Sequence, residues 1–143
     1  MQNLTRRPSP RFAYSTIAGE VLPGWDISLV FVGPTKARAL NMQLRKKEYI
    51  PNVLSYVAGE KSGEIIICLS EAAKQAPSFS LKPNAYCLLL FIHGLLHIKG
   101  WAHSAKMEKC EQTLLAKYEA PYSNRNRHRD LPSKGSGGRR TLR

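Results

Sequence analysis

The sequence is short of cysteine and has no long hydrophobic run. Its three cysteines, Cys68, Cys87 and Cys110, are odd in number and form no C-x-x-C pair, as expected for reduced thiols of a cytoplasmic protein rather than a disulfide framework. The longest nearly apolar run, Ala85 to Ile98, is too short to cross a bilayer. No hydrophobic leader with a cleavage site follows the N-terminus. These features predict a cytoplasmic protein with no membrane association.

Acidic residues are also scarce. The chain of 143 residues has 10 Asp and Glu against 22 Lys and Arg, which gives a net charge of +12, and such a surface attracts polyanions such as RNA or the ribosome. About half of the excess comes from residues 121–143, where Asp130 is the only acidic residue. The composition predicts three parts: an N-terminal arm and short helix (1–24), a folded domain (25–119) and a basic disordered tail (120–143). The Arg-rich start also fits an organellar transit peptide, as a minority alternative.

Three of the four histidines fall in the pattern H-x-x-x-H-x-x-G-x-x-H, as His93, His97 and His103. Residues four apart lie on one face of a helix, so the first two can bind one ion. Gly100 permits a positive φ at which the helix can end and the chain can return with the third. Three imidazoles leave a fourth position open, which is typical of a catalytic zinc ion. A cysteine ligand from Cys68 or Cys110 would fill this fourth coordination position and favour a structural role for the metal.

The hydrophobic pattern of the rest of the chain predicts a single α+β domain in which a small mixed sheet of about four strands packs against helices. The metal-bearing helix, with Pro83 in its first turn, is apolar nearly all round and is therefore expected to be buried. The other expected elements are a loose arm over residues 1–11, helices over 12–22, 34–47, 71–75 and 104–118, strands over 27–32, 52–57 and 64–69, and loops at 59–63 and 78–83.

Spacing alone does not choose the reaction. Metzincin proteases share it, but they carry Glu after the first His as the general base. Here that position is Gly94, which cannot take a proton. A metzincin-like protease is therefore the least favoured function.

Three blocks resemble the YbeY-type endoribonucleases, metal-dependent proteins of ribosomal RNA maturation. The histidine motif fits the family pattern H-G-x-L-H-x-x-G-[aromatic]-D-H, and residues 40–45, 52–56 and 63–68 match two further family blocks. The chain departs from the family at four positions: Leu44 for an aromatic residue, Pro51 for Thr, Glu64 for Asp, and Ala102 for the Asp of the histidine motif. Ala102 removes a carboxylate beside His103, and carboxylates near metal ligands commonly change affinity or activity by about 10- to 100-fold.

The resemblance implies a zinc-dependent single-strand endoribonuclease of ribosomal RNA, with one zinc ion on His93, His97 and His103 and with Arg45 as the functional arginine. Its expected partner is ribosomal RNA or the small ribosomal subunit. An alternative from another class is a non-catalytic zinc-containing ribosome-assembly or RNA-binding factor.

Further candidate substrate-binding residues surround these positions. Lys46 and Lys47 continue the basic patch beside Arg45 and could bind phosphates, although a solvated surface explains them equally well. Asn52 and Ser55 belong to a matched block and favour a role in the wall of the cleft. Trp101 could stack on a base, although a core position is the simpler interpretation.

Overall fold

The computed structural model describes residues 1–125, with side chains described through residue 119. The strands are β1 (Gln2–Asn3), β2 (Asp26–Val32), β3 (Val53–Gly59) and β4 (Ser62–Cys68). The helices are α1 (Tyr14–Val21), α2 (Pro34–Arg45), α3 (Leu69–Gln75), α4 (Pro83–Ile98) and α5 (Ala105–Arg125), with a 3₁₀ turn at Ala76–Phe79.

The four strands form one mixed sheet in the order β1-β2-β4-β3. Strands β1, β2 and β4 are parallel, and β3 runs antiparallel to β4 at the opposite edge from β1. This arrangement confirms the predicted α+β domain with a small mixed sheet. The predicted loop at 59–63 is in fact a tight turn at Glu60 and Lys61, because β3 and β4 both extend into it.

Strand β4 is covered on both faces, as suits its continuous apolar run from Ile65 to Cys68. Ile65 and Ile67 belong to the main core, on the side of α1, α4 and α5. Ile66 and Cys68 belong to a smaller cluster that includes Ala37 of α2. The alternation follows from the two-residue period of a strand, and it places α2 and α4 on opposite faces of the sheet.

Helix α4 is the central helix of the main core. Pro83 occupies its first turn, where a missing N–H costs nothing, and every residue from Ala85 to Leu96 is buried. The predicted burial of this helix is confirmed. Polar groups at positions 93 and 97 therefore require local partners.

The expectation of a loose N-terminal arm is wrong. Gln2 and Asn3 pair in parallel with Val30 and Phe31 of β2. The Asn3 side chain then donates to the Arg7 carbonyl at 2.8 Å and accepts from the Thr5 N–H at 2.9 Å. The partner strand is distant in the sequence, so local composition did not reveal the pairing.

Helix α5 starts as predicted but extends further. The Ser104 hydroxyl accepts the Met107 N–H at 3.1 Å and caps the helix. The helix continues to Arg125, past the expected end near Tyr118. Residues 126–143 of the predicted tail lie outside the described residues.

Among residues 1–125, no single helix is long and apolar enough to cross a membrane. One bent pair, Leu69–Phe79 with Pro83–Ile98, reaches that length and composition only when its two parts are combined.

Candidate metal centre and its cleft

The three histidines converge as their spacing predicted. His93 and His97 lie one turn apart on α4, and their Nε2 atoms are 2.9 Å apart. Gly100 has φ +102, and the chain turns there so that the His103 ring lies 5.0 Å from that of His93 and 4.6 Å from that of His97. One nitrogen from each ring falls within 4.8 Å of the others.

The other ring nitrogens show how the rings are held. His93 Nδ1 lies 3.1 Å from a carboxylate oxygen of Glu111, and His97 Nδ1 lies 3.1 Å from the Trp101 carbonyl oxygen. Both partners are acceptors, so in the neutral rings both Nδ1 atoms carry the proton and both Nε2 atoms present lone pairs. Two lone pairs facing each other at 2.9 Å repel unless a cation lies between them. The residues present therefore fit a metal ion.

The pKa of His97 also favours a neutral ring that can bind a metal ion. Burial lowers the pKa of His97, the neighbouring His93 lowers it further, and the bond to the Trp101 carbonyl acts in the opposite direction. The lowered pKa favours the neutral imidazole, which is the form that binds metal.

Glu111 was missed by sequence reasoning. It lies on α5 with 5% of its surface exposed, four residues after the buried Met107. The available signal was that an acid at this spacing falls on the apolar face of the helix, where it needs a partner. Its carboxylate orients the first histidine from another element of the fold.

The structure answers two further questions raised by the sequence. Within the described residues, the group able to hold a metal consists of the three histidines, without Cys68 or Cys110.

Position 94 faces the sheet: a Cβ built on Gly94 would lie 3.2 Å from Ile65 Cγ2. Gly94 is thus a point of close helix-to-sheet packing, and a protease-type Glu there would collide with β4.

A cavity of about 1180 Å³ opens beside the histidines. Its lining comes from α2, the segment after it, β3, the end of α3, the 3₁₀ turn, α4 and the segment after α4. The lining residues are Arg45, Tyr49, Ile50, Pro51, Asn52, Val53, Leu54, Ser55, Gln75, Ser78, Phe79, Tyr86, His93, His97 and His103. The predicted functional arginine, Arg45, lies in this lining, as do Asn52 and Ser55 of the residues predicted to bind substrate. The described lining contains no acidic residue, which suits an anionic ligand.

Arg45 is the last residue of α2, at the mouth of the cavity. The helix ends one or two residues earlier than predicted, because Lys46 adopts a left-handed conformation with φ 59. The Arg45 guanidinium donates to the Tyr49 hydroxyl at 2.9 Å. Asn41, fully buried, donates to the Tyr49 carbonyl at 2.9 Å and holds the same segment.

Lys46, Lys47 and Trp101, the other residues predicted to bind substrate, do not line the cavity. The two lysines are exposed beyond Arg45. The Trp101 side chain packs partly buried against the main core, with Lys106 Nζ 5.1 Å above its ring. Its contribution to the site is the backbone carbonyl that holds His97.

Asn52 is part of an internal hydrogen-bond network. Its amide donates to the Gln75 side-chain oxygen at 2.9 Å and to the Tyr86 hydroxyl at 3.2 Å, while its oxygen accepts the Val53 N–H at 2.7 Å. Burial raises the pKa of Tyr86 to about 12, so this hydroxyl stays neutral. The network fixes the part of the cavity wall around Tyr86.

Comparison with known proteins places the chain among related sequences. A family model described as Endoribonuclease YbeY matches residues 12–119. The chain is 29% identical to "Endoribonuclease YbeY" of Aromatoleum aromaticum, over 85% of this chain and 86% of that protein. It is 32% identical to the protein of the same name from Neisseria gonorrhoeae, over 78% and 75% of the two chains.

The fold is also found among solved structures. The solution structure of TM1509 from Thermotoga maritima superposes with a TM-score of 0.62 at 21% identity and covers 84% of this chain and 85% of that one. This likeness concerns the fold alone. With the family match over residues 12–119, the chain belongs to the endoribonuclease YbeY family.

Proposed function

We propose that this protein is a zinc-dependent endoribonuclease that cleaves single-stranded ribosomal RNA during ribosome maturation in the cytoplasm. The observation that carries the proposal is the meeting of three convergent histidines and Arg45 in one cavity whose described lining has no acidic residue. The names of the relatives support the same reaction class.

The residues of the site have separate roles in metal binding and in phosphate binding. His93, His97 and His103 would hold the ion, with His93 oriented by Glu111 and His97 by the Trp101 carbonyl. Zinc, when bound, supplies Lewis acidity toward a phosphoryl oxygen and toward water at neutral pH. Arg45 can donate to a second phosphate oxygen and share the negative charge that builds up during cleavage.

The charge of α2 supports RNA as the ligand. The helix and the two residues after it carry only basic charges: Lys36, Arg38, Arg45, Lys46 and Lys47. All five are exposed, and this stretch borders the cavity through Arg45. Phosphate contacts of this kind give sequence-independent binding that weakens with salt.

The test combines metal analysis with RNA cleavage. Purified protein is expected to hold one zinc ion per chain and to cut single-stranded ribosomal RNA. His97→Ala is expected to lose both metal and cleavage, and Arg45→Ala to lose cleavage and keep the metal. His128→Ala and Lys109→Ala, which change a histidine outside the motif and an exposed cation of α5, are the matched controls.

Cleavage that survives in both His97→Ala and Arg45→Ala would come from a contaminating nuclease and would overturn the proposal. Ala102 favours a second candidate, a non-catalytic ribosome-assembly factor, because the family motif has a carboxylate at that position. Zinc binding and RNA binding without cleavage, with no gain of cleavage in Ala102→Asp, is the result expected for that candidate. Parallel incubation with unfolded protein tests the protease alternative.

A further inference from the structure

We propose that Phe79 forms a stacking subsite for one nucleobase of the RNA, at the end of the cavity away from the histidines. This inference rests on the proposed function, because it places a neighbouring nucleotide when the scissile phosphate lies at the metal centre.

The cavity has two ends that helix α4 keeps apart. Tyr86 and His93 both line it and are seven residues apart in the helix. They therefore lie on the same face with a separation of about 10 Å along the axis. Phe79 packs on Tyr86, so its ring also lies at the far end. This separation leaves room for a nucleotide next to the phosphate at the metal.

Phe79 is a supported aromatic surface. Its ring stacks on Tyr86 with centroids 4.8 Å apart and an interplanar angle of 22°. Tyr86 is completely buried and is fixed by its bonds to Asn52 and Gln75. Phe79 itself remains partly exposed and lines the cavity. A partly exposed aromatic ring on a rigid support is the kind of surface on which single-stranded bases stack.

The wall beside Phe79 predicts that the subsite accepts any base. Both hydrogens of the Asn52 amide are donated within the wall, and the Gln75 side-chain oxygen already accepts from Asn52 and Tyr86. The Gln75 amide nitrogen donates to Glu71 at 3.2 Å. The Asn52 amide, the Tyr86 hydroxyl and the Gln75 oxygen are thus bonded to one another, so we expect recognition to rely on the π face that every base has.

A series of short single-stranded RNAs tests the proposal, each lacking the base at one successive position. With zinc-loaded wild-type protein, the abasic substitution at one position next to the cut is expected to weaken binding by about tenfold. The four natural bases at that position should bind within about threefold of one another. If no abasic position weakens binding, or if binding depends strongly on base identity there, the proposal is overturned.

Phe79→Leu identifies the residue, because it removes the ring and keeps an apolar side chain. The variant is expected to bind intact RNA about tenfold more weakly, with KM raised more than kcat is lowered. It should be insensitive to the abasic substitution, whereas Val57→Leu, at an exposed position outside the cavity lining, should behave as wild type. Wild-type sensitivity retained by Phe79→Leu would contradict the assignment. If the proposed function itself is wrong, wild-type protein will cut no RNA, and this result distinguishes that failure from failure of the Phe79 assignment.

Discussion

The buried carboxylate of Glu111 lies 3.1 Å from Nδ1 of His93 and joins α5 to the metal centre. Their side chains are 7% and 5% exposed, respectively. The histidine motif of this chain lacks the family aspartate at Ala102, beside the third histidine. The first histidine nevertheless has a carboxylate partner, and that partner comes from a different helix.

Removing this carboxylate should weaken metal binding. Glu111→Ala leaves His93 Nδ1 without its acceptor and frees the ring to turn, so zinc affinity should fall by about 10- to 100-fold. Glu111→Gln should have a smaller effect, because its amide oxygen can still accept the same hydrogen. Competition with a chromophoric chelator measures the dissociation constant.

The matched control for this substitution is Glu60→Ala, which removes an exposed acid in the β3–β4 turn and should leave zinc affinity unchanged. Circular dichroism checks that Glu111→Ala remains folded. A folded Glu111→Ala protein that binds zinc as tightly as wild type would refute the orienting role of Glu111.

Gly94 should be required for packing of α4 on the sheet. In Gly94→Ala the new Cβ would lie 3.2 to 3.3 Å from three carbon atoms of Ile65, and such overpacking costs about 1 to 3 kcal/mol. Ile65 is completely buried in β4 and has little room to move away, so we expect the cost to exceed the gain of about 1 kcal/mol in helix propensity. Denaturant unfolding should show a lower free energy of unfolding.

Gly19→Ala in α1 is the matched control, because nothing lies within 4 Å of a Cβ built there. That change should stabilise the protein by about 0.5 to 1 kcal/mol. In an Ile65→Ala background the collision disappears, so Gly94→Ala should then cost less than it does alone. A cost that is the same in both backgrounds would show that Ile65 is not the limiting contact.

The sequence predicted the parts of the site that depend on local spacing. His93 and His97 share a helix face by periodicity, Gly100 provides the turn, and Ser104 begins the next helix. The apolar run around the histidines also predicted a buried α4. In each case the residues that determine the structure are within a few positions of one another.

The parts that were missed depend on contacts between distant segments. The pairing of Gln2 with Val30 and the hydrogen bond between His93 and Glu111 join elements that local patterns cannot place together. For Trp101 the sequence left two interpretations, stacking on a base or a core position; the ring packs on the core, which was the simpler of the two, and the backbone carbonyl contacts His97. Its position beside a histidine in the sequence correctly predicted that Trp101 lies near the metal centre. Whether its ring or its backbone contacts the histidines depends on the fold.

The Ser104 cap should contribute to stability immediately after the third histidine. Its hydroxyl accepts the Met107 N–H at 3.1 Å, and loss of such a cap costs about 1 kcal/mol. Ser104→Ala should therefore lower the free energy of unfolding by about that amount, as measured by urea denaturation. Ser104→Asp should retain the cap, because a carboxylate accepts the same bond and is favourable at a helix N-terminus. Equal losses in the two variants would contradict the capping role.

Tyr49 should position Arg45 for its part in the proposed cleavage. The Tyr49 hydroxyl accepts from the Arg45 guanidinium at 2.9 Å, and a single hydrogen bond of this kind is worth about 1 kcal/mol. Tyr49→Phe keeps the ring and removes the acceptor, so kcat for RNA cleavage should fall by about fivefold while zinc affinity is unchanged. The same substitution in an Arg45→Ala background should have no additional effect, because the group that it positions is gone. A full additional loss in the double variant would mean that Tyr49 acts on the substrate independently of Arg45.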